Sequence, residues 1–149
     1  EYIHVDQATY DYYKGKGIIL ELGRDYHAPE WLRAIGLSAH RLIAPSGDII
    51  ICREDHLGGF HAKGFNTDSL GAEFLIEGTW TYAPMLKRMQ TTFLTDKQLE
   101  NGSYLIELWM KKHNIELEMV KSHKAIDPQR KYDPGVEAGR IYEAVKARI

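Results

Sequence analysis

The chain has 149 residues, the length of one domain built on one core, and 44% hydrophobic with 27% charged residues is the balance of a globular protein. Its formal net charge of −2 offers no basic excess for a nucleic-acid footprint, and no apolar run approaches the length of a membrane span. The single cysteine, Cys52, excludes an internal disulfide.

The sequence opens at Glu1 with neither a methionine nor a signal peptide. Either a leader or preceding domain has been removed or the sequence is an excised piece, so the compartment is not read from it. "EYIHV" is an apolar-rich run expected to form an opening strand, which would hold His4 in a rigid position. "YDYYKGKG" is expected to be a loop, and "IILEL" a strand or part of a helix, five residues being too few to decide. "APEWLRAIG" has Pro29 near its start and Gly36 at its end, the punctuation of a short helix.

"SAHRLIA" and "DIIIC" flank the turn sequence "PSG" and predict a β-hairpin, with Cys52 as a small buried hydrophobe in its second strand. "REDHLGGFHAKGFNTD" is a polar, glycine-rich loop, and "SLGAEFLIEG" a strand entering the core. "TWTYAPMLKRMQTTF" reads as an extended excursion or a lid. "LTDKQLENGSYLIELWMKKHNI" is the clearest helix. Thr95 and Gln98 have capping-box spacing, Leu99, Leu105, Leu108 and Trp109 share a face, and Lys111 and Lys112 suit the negative C-terminal end. "ELEMVKS" is expected to be a strand leading into His123, and "VEAGRIYEAVKARI" a closing helix. Strands and helices alternate around a hairpin. That predicts a single α/β domain over residues 1–149, with a mixed central sheet flanked by helices.

The stretch "HKAIDPQRKYDPG" places His123 and Asp133 on one loop. Imidazole and carboxylate are ordinary zinc ligands, and a catalytic zinc needs three protein ligands with a fourth place left open. His4, His27, His40, His56, His61 and His113 are the candidates for the third, with His4 favoured by its strand. Spacing alone leaves another reading open, in which His123 and Asp133 are a hydrogen-bonded pair bracing the loop and Lys131 is a solvated charge.

"SAHRLIAPSGDI", "HAKGFNTDSLGAE" and "SHKAIDPQRKYDPG", in this order, resemble the zinc-dependent N-acetylmuramoyl-L-alanine amidases. That family includes amidase-type phage lysozymes, cell-wall recycling amidases and peptidoglycan recognition proteins. "HAKG" followed by asparagine is most similar to the phage branch, and "SAH", "GAE" and "RKYDPG" to the recycling branch. The resemblance implies the amidase fold, Zn²⁺ as cofactor, and peptidoglycan or muropeptides as substrate. It implies His4, His123 and Asp133 as metal ligands, Asp133 standing where some phage members have cysteine. It also implies two catalytic residues: Glu73 as proton carrier and Lys131 as oxyanion donor. The phage branch's catalytic tyrosine falls on Ala39 here, so the chain is expected to rely on Glu73.

Other residues keep two readings. His40 is expected to be a satisfied structural histidine. His61 lies in the loop matched to the substrate cleft, as substrate contact or loop hydrogen-bonder. Asn66 contacts substrate or fixes the loop by an Asx-turn. Trp80, Tyr82, Lys87 and Arg88 are a sugar- and carboxylate-binding group or a segment packed by its own aromatics. Glu77 shares the facing parity of Glu73 and could raise its pKa or lie outside the site.

The expected activity is cleavage of the amide between N-acetylmuramic acid and L-alanine by a monomeric, phage-type lysin. Such an enzyme would act on the cell wall, in the periplasm or outside the cell, and could be made in a host cytoplasm. The alternative is a non-catalytic peptidoglycan-binding module.

Overall fold

The computed structural model describes residues 2–129, 131 and 133–149. Glu1 of the opening strand and Arg130 and Tyr132 of the "RKYDPG" motif lie outside the described residues. Among the described residues the strands form two mixed sheets of three, with helices packed on them, so the expected mixed sheet is divided in two.

The first sheet centres on β1 (Tyr2–His4), antiparallel to β2 (Asp25–His27) and parallel to β6 (Thr79–Trp80). Alternation along β1 buries Ile3 with Val5, Tyr13, Leu20, Tyr26 and Trp31, and turns His4 to the other face. Between β1 and β2 runs α1 (Gln7–Lys14), where the sequence predicted a loop. Two forces override the aromatic, glycine-terminated appearance of that segment. The Asp6 carboxylate accepts the Thr9 N–H at 2.8 Å as an N-cap, and Thr9 and Tyr13, one turn apart, are both buried. "IILEL" forms neither strand nor helix; Leu20 is buried while Ile19 is exposed. Next, α2 (Ala28–Ala34) keeps Pro29 in its first turn, and the chain leaves it through Gly36 at φ +77°.

The predicted hairpin forms between β3 (Arg41–Ile43) and β4 (Ile49–Ile51). Cys52, just past β4, is exposed rather than buried, because β4 is an edge strand. β5 (Ala72–Phe74) runs parallel to β3 on its other side, with Glu73 opposite Leu42. The 79–93 stretch resolves into β6 followed by α3 (Tyr82–Arg88).

The long helix is α4 (Asp96–His113), with both halves of the predicted capping box in place and Asn114 as a left-handed C-cap. Gln98 does more than cap: buried, it donates through Nε2 to the carbonyls of Ile43 (3.0 Å) and Leu75 (2.7 Å), fastening the helix to β3 and the end of β5. Gly102, a poor helix former, is needed here, because a Cβ would lie 2.3 Å from the Phe74 ring. Leu105 and Trp109 are buried as expected, but Leu108 is exposed, so the apolar stripe is narrower than the sequence suggested.

"ELEMVKS" is not a strand. It holds one 3-10 turn, Leu117–Met119, and Ile115, Leu117 and Val120 cover the apolar cluster between α4 and the last helix instead of pairing with a sheet edge. α5 (His123–Ile126), a 3-10 turn (Gly135–Glu137) and α6 (Ala138–Lys146) complete the chain.

Candidate active site

Glu73 lies in the middle of β5, held by backbone pairing to β3. Burial pushes its carboxyl up to about 7. Asp133 raises it further through its charge, while His123 and Lys131 pull the other way. Glu73, His123, Lys131 and Asp133, spread over 60 residues of sequence, therefore share one electrostatic environment. Glu77, which matched Glu73 in parity, is exposed, and the charge that raises Glu73 is that of Asp133.

His123 is the first residue of α5, not the end of a strand. Ser122 caps that helix by accepting the Ala125 N–H at 3.0 Å. The Lys124 N–H donates to the Asp133 carbonyl at 3.0 Å, folding the loop back on the helix start, and the Asp133–Pro134 peptide is cis. His123 Nδ1 then lies 3.2 Å from Asp133 Oδ2. Asp133 is held below the usual carboxylate range: burial alone would raise it, and the His123 hydrogen bond and charge outweigh that. The other ring nitrogen, His123 Nε2, is buried with no hydrogen-bond partner among the described residues.

These two side chains fit a zinc ion in kind and in spacing. Two donors on one tetrahedral zinc at about 2.0–2.1 Å stand roughly 3.3 Å apart, which is the spacing of His123 Nδ1 and Asp133 Oδ2; Nε2, on the far side of the ring, would not face the same ion. His4 is placed differently. Its Nδ1 lies 2.6 Å from Asp25 Oδ1, its direct partner across β1 and β2. A carboxylate on one ring nitrogen is the usual arrangement for a metal-binding histidine, leaving Nε2 as the donor. Among the described residues, however, no three His, Cys, Asp or Glu side chains converge as a metal group. The structure therefore brings His123 and Asp133 together and leaves His4 in its pair with Asp25. Sequence reasoning missed Asp25, because only strand register places it opposite His4.

The loop before β5 wraps around His40. That ring is fully buried; its Nδ1 accepts the Gly71 N–H at 3.1 Å, and its Nε2 donates to the Leu57 carbonyl at 2.7 Å. Both nitrogens are satisfied, as expected of a structural histidine. His61 packs edge-on against His40 with ring centroids 5.3 Å apart and meets Ser69 Oγ through Nε2 at 3.0 Å, while its Nδ1 is buried without a partner among the described residues. Burial first, then the neighbouring His40, lowers its pKa. Asn66 Oδ1 accepts the N–H groups of His61 (3.1 Å) and Ala62 (2.8 Å), which is the loop-fixing arrangement.

Trp80, Tyr82 and Arg88 of the 79–93 stretch are engaged by the protein itself. Tyr82 stacks on Tyr12 of α1 at 5.5 Å, Trp80 donates to the Glu77 carbonyl at 2.8 Å, and Arg88 bonds Thr91 and the Thr92 carbonyl. Tyr82 also feels the charge of Asp133, a proximity that no local pattern reveals.

Comparison with known proteins places the chain in a family and a fold. The family model for N-acetylmuramoyl-L-alanine amidase matches residues 4–136, a span that starts at His4 and includes Asp133. Among solved structures, an AmpD derivative is similar at 22% identity and a TM-score of 0.60, covering 80% of this chain and 69% of that one. The N-acetylmuramoyl-L-alanine amidase LysC from Clostridium intestinale URNW is similar at 22% identity and a TM-score of 0.57, covering 99% of this chain and 80% of that one. The endolysin amidase LysCS from the same organism gives the same identity and TM-score, covering 99% and 78%. At this identity the structures establish the fold alone. A comparison with the curated proteins finds no match.

Proposed function

Because the chain belongs to the N-acetylmuramoyl-L-alanine amidase family, we propose that it is a zinc-dependent, phage-type lysin acting as a monomer on the cell wall. Its cut would fall on the amide between N-acetylmuramic acid and L-alanine of peptidoglycan. The observation that carries the reading is Glu73: a carboxyl raised to about 7 beside Asp133, His123 and Lys131. A group with a pKa near the working pH can both take and return a proton in one turnover.

The roles follow from residue chemistry. His123 and Asp133 hold the zinc, and His4, oriented by Asp25, supplies the third donor. Zinc, when bound, polarises the scissile carbonyl and makes hydroxide available near neutral pH. Glu73 takes the proton of the attacking water and passes it to the leaving amine of L-alanine. Lys131 donates to the oxygen that becomes negative as the carbonyl carbon turns tetrahedral. His61 and Asn66 would border the substrate, Asn66 also holding the His61 backbone in place.

The test is zinc content together with release of L-alanine-linked peptide from purified peptidoglycan, for wild type and Glu73→Ala. About one zinc per chain in both, with cleavage by the wild type only, is the expected result. Zinc-free wild type, or wild type that binds peptidoglycan without cutting it, would overturn the mechanism in favour of a binding module.

A further inference from the structure

Asp133 is delivered by a loop with little secondary structure, yet the site needs it beside His123. The loop runs directly into the 3-10 turn Gly135–Glu137, and Glu137 is a fully buried carboxylate. One of its oxygens, Oε2, accepts the N–H groups of Phe93 (3.0 Å) and Leu94 (2.6 Å), the last residues before the Thr95 cap of α4. Arg140, one turn on, donates to both oxygens at 2.9 Å. Two residues back, Gly135 has φ +67° and so little room that a Cβ would lie 1.9 Å from the Met89 carbonyl oxygen. The end of the 79–93 segment and the start of α4 thus grip the loop four residues beyond Asp133. The Lys124 N–H fixes the Asp133 carbonyl itself.

We propose that Glu137 is a positioning residue of this site: its clamp on the Phe93 and Leu94 N–H groups sets the loop that presents Asp133 to His123 and the metal. The proposal rests on the amidase reading and goes beyond it. A buried carboxylate could instead be a purely structural anchor, but its place decides otherwise. Between the clamp and Asp133 lie only Pro134, with its fixed φ, Gly135, wedged against Met89, and Val136. A shift at Glu137 has no slack to absorb it before reaching Asp133.

The experiment compares the full chain with Glu137→Ala, Glu137→Gln and the double variant Glu137→Gln/Arg140→Met. Zinc affinity of the metal-stripped proteins is read by chelator competition, and kcat and KM are measured separately, at a temperature where each variant is folded by circular dichroism. Glu137→Ala is expected to weaken zinc binding at least tenfold and lower kcat by a similar factor, with KM within twofold. Glu137→Gln keeps an oxygen for the two N–H groups but turns its amide NH₂ toward Arg140, so a smaller loss of about threefold is expected. The double variant removes that donor–donor clash and should recover affinity to near wild type. Wild-type zinc affinity and kcat in folded Glu137→Ala would overturn the positioning role. Should Glu137→Ala fail to fold, equal affinity in wild type, Glu137→Gln and the double variant would overturn it as well. Wild type that binds no zinc would instead overturn the amidase mechanism on which the proposal stands.

Discussion

Two loops of this protein each enclose a histidine, His40 fully buried and His123 half-buried, and they differ in how completely that ring is satisfied. Around His40 both nitrogens have partners, Gly71 and Leu57, and the loop is further stitched by Asn66 and Ser69. Around His123 one nitrogen meets the Asp133 carboxylate and the other meets no partner among the described residues. A buried polar atom without a partner costs on the order of 1–3 kcal/mol; the first loop carries that cost at His61 Nδ1 but not at His40, and the second carries it at His123 itself, the position where chemistry is expected. His40 is thus satisfied by its own loop, while His123 meets only the partly exposed Asp133 carboxylate.

This contrast can be broken most severely at the His123 loop. Asp133→Ala is expected to abolish zinc retention and bring cleavage to background, as read by metal analysis and peptide release, while leaving a cooperative thermal transition. Retention of zinc would remove Asp133 from the ligand set. Next in size, Glu73→Gln should lower kcat by about 10²–10⁴-fold, the usual worth of a proton-transfer group, with zinc content unchanged.

The same variant tests the electrostatics. The folded pKa of Glu73, about 7, lies above its ordinary value of 4.5. The folded protein therefore holds a proton between pH 4.5 and 7 that the unfolded chain has lost. The stability this gives is fully present below pH 4.5 and is lost as pH rises through 7. In the metal-free protein Glu73→Gln should accordingly have the higher Tm at pH 8, with the gap closing by pH 5. A direct titration should place the Glu73 midpoint near 7 and move it down when zinc adds positive charge nearby. A midpoint near 4.5 in the metal-free protein would show the carboxyl to be solvated and remove the basis for its double role.

A smaller effect is expected at the other sheet. Asp25→Asn weakens the orientation of His4, and losses of about 10–100-fold in metal affinity are typical for such partners. An unchanged affinity would show that the His4–Asp25 pair, exposed as it is, contributes nothing to the metal site. Within the His40 loop the expected change is in stability and not in turnover. His40→Ala strands the Gly71 N–H and the Leu57 carbonyl and should cost roughly 2–4 kcal/mol by denaturant titration. Folded His40→Ala should still bind zinc; loss of metal there would erase the distinction between the two loops.

Much of this was legible before any coordinates. The Thr95–Gln98 capping box, the hairpin around "PSG" and the short α2 rest on local signals, caps and turns whose chemistry acts within a few residues. The family motifs likewise singled out Glu73, His123, Lys131 and Asp133 as candidates, four residues that the fold brings into one electrostatic environment. What local signals missed was decided by packing. "YDYYKGKG" became α1 because burial of Thr9 and Tyr13 outweighed its loop-like composition, and "ELEMVKS" lost its strand because its apolar residues serve the α4–α6 cluster.

The sequence by itself determined which residue types are available for the chemistry and where the helices and turns are punctuated, because caps, prolines and glycines act on neighbouring backbone. Only the tertiary structure decided which of those residues meet. It set Asp25 opposite His4 through strand register, brought Asp133 to His123 through a folded-back loop, raised Glu73 by burial beside a second carboxylate, and placed Glu137 under Phe93 and Leu94. Each of these depends on contacts between residues 10 to 60 positions apart, and pairing, burial and charge at that range are set by the fold rather than by any local pattern.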